Sequence, residues 1–206
     1  MSPPAEPVPE RVPEPVRFVL ASANPHKAAE ITATLAAAGV VTVPRPAGIA
    51  DVDETGETLF ANARLKGAAL AEATGQPAVA DDTGLLVDAL GGGPGVRSAR
   101  FAGEDATYAD NVAKLLECLA GLGPEARTAR FETVALARWP GGREVTATGT
   151  VGGRIAVEPR GGGGFGYDPV FIPDEGDGRT FAEMSPVEKD ALSHRGRAFR
   201  ALAAKL

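Results

Sequence analysis

PAVADDTGLLVDALGGGPGVRSARFAG, Pro77 to Gly103, is the stretch on which the reading of the chain turns. An apolar run reaches two adjacent carboxylates, Asp81 and Asp82, is interrupted by Thr83 and Gly84, and resumes from Leu85 to Val87. The pattern predicts a short strand ending at the acid pair. Asp-Asp-Thr-Gly alone is equally the composition of a polar turn between two strands. Side-by-side like charges repel unless a cation or a shared proton holds them, so the pair points to a divalent metal or a perturbed carboxylate. Gly91 to Gly95 predicts a tight bend, and Arg97 and Arg100 beyond it are read as structural.

Upstream, the fold is expected to begin with a strand at Arg17 to Ala21, leading into Ser22, Ala23, Asn24, Pro25, His26 and Lys27. Asn24 is a good helix N-cap and Pro25 suits the first helical position, so a helix over Pro25 to Ala38 would aim its free N–H groups at the strand end. That geometry favours an anion, and Lys27 in the first turn makes phosphate the natural ligand, although an exposed helix lysine is the plain alternative. Val40 to Val43 reads as a second strand. An acidic loop, Asp51 to Glu57, precedes a helix over Thr58 to Ala73, with Gly75 and Pro77 marking its end. Acids there satisfy the helix dipole, or one of them, Glu54, reaches a metal at Asp82. Ser2 to Pro15 alternates proline with small and acidic residues, which predicts a disordered extension over residues 1–15 ahead of one folded domain over residues 16–206.

Downstream, Val112, Leu115, Leu116 and Leu119 fall at helical spacing within Thr107 to Leu119. Thr128 to Trp139 and Glu144 to Val157 flank a Pro-Gly-Gly turn and predict a long antiparallel hairpin. A parallel α/β beginning joined to such a hairpin gives the expected fold class, α/β with a mixed central sheet, flanking helices and two lobes around a cleft. In GGGGFGYD, Gly161 to Asp168, an aromatic set among glycines suits close approach of a flat ligand, with Phe165 free to stack on a base. A strand is expected at Val170 to Ile172. Ser185, Pro186, Val187 and Glu188 form a capping box that starts a helix containing Lys189. Ser193 caps a last helix, with His194 and Arg195 at its start as a donor-rich pair.

At 206 residues the chain suits one substantial core rather than two independent domains. Its apolar fraction of 44% is ordinary, and no apolar run approaches the roughly 20 residues of a membrane helix. The net charge of −6 argues against a broad nucleic-acid surface, while leaving room for a small polyphosphate held by local cations. One cysteine, Cys118, forms no intrachain disulfide and sits at an apolar helical position, where it is expected to be packed; with no leader evident, the expected location is the cytoplasm. No P-loop signature occurs.

Six motifs in order, S-A-N-P-H-K (22–27), D-E-T-G (53–56), A-D-D-T-G-L (80–85), P-G-V-R-S-A-R (94–100), G-G-F-G-Y-D-P (163–169) and S-H-R-G (193–196), resemble the inosine triphosphate pyrophosphatase family over about Arg17 to Leu206. Its members remove pyrophosphate from non-standard purine nucleoside triphosphates. The resemblance implies that Ser22, Ala23, Asn24, Pro25, His26 and Lys27 bind the triphosphate, that Glu54 and Asp82 hold Mg²⁺, and that Asp82 is the proton acceptor. It further implies that Thr83 contacts substrate, that Phe165, Gly166, Tyr167 and Asp168 form part of the base pocket with Lys189, His194 and Arg195, and that the protein is a homodimer. Many members have glycine at the position of His26. Since a metal-bound Asp82 would carry two roles, Asp81 and Glu54 remain alternative bases. Rival readings are a binding module without hydrolysis, a Maf-like pyrophosphatase acting on modified pyrimidines, and a phosphatase releasing inorganic phosphate.

Overall fold

The structure, a computed structural model, describes residues 16–206, so the extension expected over residues 1–15 lies outside the described residues. Strand β1 (Arg17–Leu20) leads into helix α1 (Pro25–Ala37), which returns to β2 (Val41–Val43). Helix α2 (Leu59–Thr74) is followed by β3 (Ala78–Val87), a two-residue β4 (Pro94–Gly95) and helix α3 (Tyr108–Cys118). The hairpin β5 (Thr128–Arg138) and β6 (Glu144–Ile155), strand β7 (Phe171–Pro173), and helices α4 (Pro186–Leu192) and α5 (His194–Ala203) complete the chain.

The sheet runs β2-β1-β3-β5-β6-β7, with β4 on the side of β3. β1 pairs in parallel with β2 and β3, and the pairings from β3 through β5 and β6 to β7 are antiparallel. Alternation along the strands divides the apolar residues between two faces. Val19, Ala21, Ala78 and Ala80 pack under α2 with Leu70 and Ala71, and Val134 and Leu136 pack there with Leu59 and Ala63. Phe18, Leu20, Val79, Ala135 and Ala137 pack on the other face with Ile31 and Leu35 of α1 and Ala198, Phe199 and Leu202 of α5. The far halves of β3, β5 and β6 carry a separate core, Leu85, Val87, Phe131, Val151 and Ile155, closed by α3 and by Phe171 and Phe181. The mixed sheet, the helices on it and the two cores match the expected fold class.

Two expectations are corrected. The acid pair does not end a strand: β3 continues through Asp81, Asp82, Thr83 and Gly84 to Val87, pairing residue by residue with β5, Thr83 opposite Thr133. Ladder hydrogen bonds from a full-length partner override local turn chemistry. Gly84 is needed here because a side chain would meet the Gly95 carbonyl oxygen at 2.8 Å. Cys118, at the last turn of α3, is exposed rather than packed.

Candidate active site

Side chains of consecutive strand residues point to opposite faces of a sheet. Asp81 therefore faces α1 and α5 while Asp82 faces α2, and the mutual repulsion expected of neighbouring acids is relieved by the sheet between them.

Asp82, only 4% exposed, accepts hydrogen bonds from Asn62 Nδ2 at 3.3 Å and Lys66 Nζ at 3.0 Å, residues one turn apart on α2. Lys66 also donates to Glu54 at 3.0 Å, so one ammonium joins the two carboxylates. Asn62 anchors the acidic loop in turn, its Oδ1 accepting from Gly56 N at 2.8 Å, and Arg100 reaches Glu54 Oε2 at 3.4 Å. Arg100, read as structural, thus faces the site.

On the other side, Asp81, 3% exposed, meets Lys27 Nζ at 3.4 Å and Arg195 Nε at 3.6 Å and accepts from Thr83 Oγ1 at 3.2 Å. Arg195 donates to Glu30 at 2.6 Å and to Thr83 at 3.2 Å. Glu30 also receives Lys189 at 2.7 Å, and Lys189 reaches Asp168 at 2.5 Å. Asp168 Oδ2 accepts from Phe165 N at 2.7 Å, which fixes the glycine-rich loop. Close approach of α5 to β6 requires Gly149, because a side chain there would run into the His194 carbonyl oxygen.

The three acids differ sharply in proton affinity. Burial pushes Asp82 up, Lys66 and Lys27 only partly offset this, and Glu54 adds to it; its pKa is raised. Burial also opposes charge on Asp81, but Lys27, Arg195 and Lys66 outweigh it and hold the group far below the usual carboxylate range. Glu54 is lowered, burial being outweighed by Lys66, Lys27 and Arg100. His194, 3% exposed, is kept well below an ordinary histidine by burial and then by Arg195 and Lys189, so it is neutral at pH 7. Its ring stacks on Phe131 at 4.4 Å, and its Nδ1 is buried without a hydrogen-bond partner.

Two cavities meet at this point. The larger, about 520 Å³, is lined by Ser22, Ala23, Asn24, Lys27, Glu54, Lys66, Asp81 and Arg100 among others. The smaller, about 90 Å³, is lined by Thr83, Phe165, Gly166, Tyr167, Asp168, Lys189, His194 and Arg195, and shares Asn24, Lys27 and Ala99 with the first. Two residues of the expected phosphate loop line neither cavity. Pro25 is the first residue of α1, and His26 turns instead to Phe165, stacking at 5.3 Å with planes 19° apart. Phe165 is therefore not free, as expected, but already partnered. Asn24 does cap α1, accepting from His26 N at 3.0 Å, and it donates to the Tyr108 hydroxyl at 2.7 Å.

Glu30, Lys66, Asn62 and Tyr108 escaped the sequence reading. The faint signals were spacing: Lys27 and Glu30 lie three apart and Asn62 and Lys66 four apart, each pair on one helix face.

Among the described residues no three His, Cys, Asp or Glu side chains gather as a metal-holding group. The donor set nevertheless fits a hard divalent cation: Glu54 and Asp82 are oxygen ligands converging on one positive position, now that of Lys66 Nζ, and phosphate and water would supply the remaining ligands. Among the described residues, no helix is long and apolar enough to cross a membrane.

Comparison with known proteins agrees with this geometry. The chain is 48% identical over 190 residues to a dITP/XTP pyrophosphatase of Streptomyces coelicolor, covering 90% of this chain and 94% of that protein. It is 49% identical over 198 residues to a dITP/XTP pyrophosphatase of Frankia alni, covering 93% and 97%. A HAM1 protein from Coxiella burnetii superimposes with a TM-score of 0.83 at 40% identity, over 92% of this chain and 98% of that one. A nucleoside-triphosphatase, dITP/XTP pyrophosphatase, from Mycobacterium abscessus gives 0.71 at 44% identity, over 93% and 98%. With the Ham1 family model matching residues 18–205, all of the sheet but its first residue and both cavities included, this chain belongs to the Ham1 family.

Proposed function

We propose that this chain hydrolyses non-canonical purine nucleoside triphosphates, ITP, dITP and XTP, to the monophosphate and pyrophosphate, and so clears them from the nucleotide pool. The observation that carries the reading is the pair of joined cavities. The larger is lined by Lys27, Arg45, Lys66 and Arg100, charges suited to a triphosphate; the smaller is walled by Phe131, Phe165, His194 and Arg195, suited to a flat base with polar edges.

Lys27, with Ser22, Ala23 and Asn24 before it, binds the phosphates, and Glu54 and Asp82 hold Mg²⁺. The ion, when bound, neutralises the triphosphate and makes pyrophosphate a better leaving group. Of the three candidate bases Asp82 is the one the family resemblance implies, and in the metal-free protein it is also the one whose pKa is raised, by burial, while Asp81 and Glu54 are lowered by their cations. Asp82 takes a proton from the water that attacks the α-phosphorus. In the base pocket Arg195 donates to the 6-oxo oxygen of hypoxanthine or xanthine, a contact that adenine, with its 6-amino group, leaves unpaired. Neutral His194 contributes one donor rather than two. Guanine shares the 6-oxo group, so its exclusion falls to the space around the 2-amino substituent.

The reading includes a homodimer, which rests on the family resemblance and which light scattering tests, and a cytoplasmic location, which rests on the lone cysteine and the absence of an evident leader. The decisive experiment is incubation with ITP, XTP, dITP, GTP and ATP plus Mg²⁺, measuring pyrophosphate and phosphate separately. Pyrophosphate from the first three substrates and little from GTP or ATP is the expected result. Inorganic phosphate as the product, or no preference among bases, overturns it.

A further inference from the structure

The base pocket and the phosphate cleft share an anion. A single oxygen of Asp81, Oδ2, faces Lys27 Nζ at 3.4 Å, Arg195 Nε at 3.6 Å and Thr83 Oγ1 at 3.2 Å. Lys27 projects from α1 to the junction of the two cavities and lines both, Arg195 projects from α5 into the base pocket, and Thr83 belongs to the strand that carries Asp81 itself. From α2, Lys66 adds attraction at longer range. The arrangement is incomplete in one respect. Arg195 Nε is buried and has no hydrogen-bond partner, while both of its terminal nitrogens are engaged, by Glu30 and by Thr83. Leaving a buried donor without a hydrogen bond is costly, and its ion-pair partner Asp81 Oδ2, at 3.6 Å, stands just beyond hydrogen-bond reach, drawn also toward Lys27.

We propose that Asp81 is a positioning residue that couples the two halves of the substrate site: a triphosphate that takes Lys27 releases Asp81 Oδ2 to close on Arg195 Nε, which locks the guanidinium in the pose that reads the base. The inference rests on the proposed function, since it takes the larger cavity as the phosphate site and the smaller as the base site. Its physical content is an exchange of partners. A phosphate oxygen competes for the Lys27 ammonium and repels the nearby carboxylate, and both effects turn Asp81 toward the remaining cation. The phosphates thereby tighten binding of the base without touching it, and by reciprocity the base tightens binding of the phosphates by the same factor.

The test separates the two halves of the substrate. Inosine is titrated into the full chain by calorimetry without divalent metal, with and without saturating inorganic tripolyphosphate. In the wild type, tripolyphosphate is expected to tighten inosine binding by roughly five-fold or more, the lower end of the range for coupled sites. Asp81→Asn is expected to bring that factor close to one. Should Asp81→Asn fail to fold, Lys27→Met gives an independent arm. Without Lys27 the carboxylate is already free, so this variant should bind inosine alone as tightly as the wild type does with tripolyphosphate, while losing affinity for tripolyphosphate. A merely structural role for Asp81 predicts no gain of inosine affinity in Lys27→Met. Binding of both probes with no coupling in the wild type, or full coupling in Asp81→Asn, overturns the inference alone. No binding of either probe overturns the assignment of the two cavities and the coupling with it.

Discussion

The two faces of β3 at Asp81 and Asp82 put the same side chain, one residue apart, into opposite chemical states. Toward α1 and α5, Asp81 is sealed among Lys27, Arg195 and Thr83 and stays ionised at any ordinary pH. Toward α2, Asp82 has one direct cation, Lys66, and that ammonium is shared with Glu54; burial wins and the pKa rises. The lesson is that a strand separates neighbouring acids as effectively as distance does. One becomes a fixed charge that organises cations, and the other becomes a group able to take up a proton.

Breaking the Asp82 side should have the largest effect. Asp82→Asn is expected to lower pyrophosphate release by about 10³-fold, within the range for loss of a general base, and near-normal turnover would remove Asp82 from the chemistry. Next comes Lys66→Met, with an expected loss of roughly 10²-fold in kcat/KM. Lys66 lowers the Asp82 pKa, so removing it raises that pKa further, and the acid limb of the kcat/KM profile should move to higher pH. An unmoved limb would mean that Asp82 is not the titrating base. Arg195→Ala probes the opposite face: loss of a charge-assisted hydrogen bond to the base predicts a rise in KM for ITP of about 10 to 100-fold, with a smaller change in kcat. Unchanged ITP kinetics would empty the smaller cavity of its assigned role.

The smallest expected effect is on stability, and it differs in sign between the two faces. Asp81 has a lowered folded pKa, so its contribution is present above the unfolded value and is lost as pH falls through the folded one. Asp82 has a raised folded pKa, so the folded state loses stability as pH rises from the unfolded value through the folded one. At pH 7 Asp81→Asn should therefore lower Tm, by roughly 10 °C for a broken buried pair, whereas Asp82→Asn should leave Tm unchanged or raise it. Thermal unfolding of both variants checks this, and a shared sign would mean that the two acids occupy similar environments after all.

The parts legible from sequence were those written locally. Asn24, Ser185 and Ser193 sit at helix starts as their capping chemistry requires, and the Pro-Gly-Gly turn joins two strands of nearly the expected span. Asp-Asp-Thr-Gly failed because it is turn-like in isolation, and its strand conformation comes from β5, some 50 residues away in sequence. Lys66 and Glu30 went unremarked because nothing local marks them: their roles arise only when packing brings α2 under Asp82 and α1 beside α4 and α5. Cys118 misled because its apolar neighbours in α3 point inward while it does not. His26, expected among the triphosphate-binding residues and noted as a departure from the family pattern, stacks on Phe165 of the glycine-rich loop instead.

The strands β3, β5 and β6, of 10, 11 and 12 residues, pass without a break from one apolar core to the other. A common spine of this kind offers no loop about which one lobe can swing against the other. Adjustment at the rim and in the glycine-rich segment is the expected mode of capture, and small-angle scattering should then show little change in overall dimensions when a nucleotide is bound; a marked contraction would mean that the strands themselves bend.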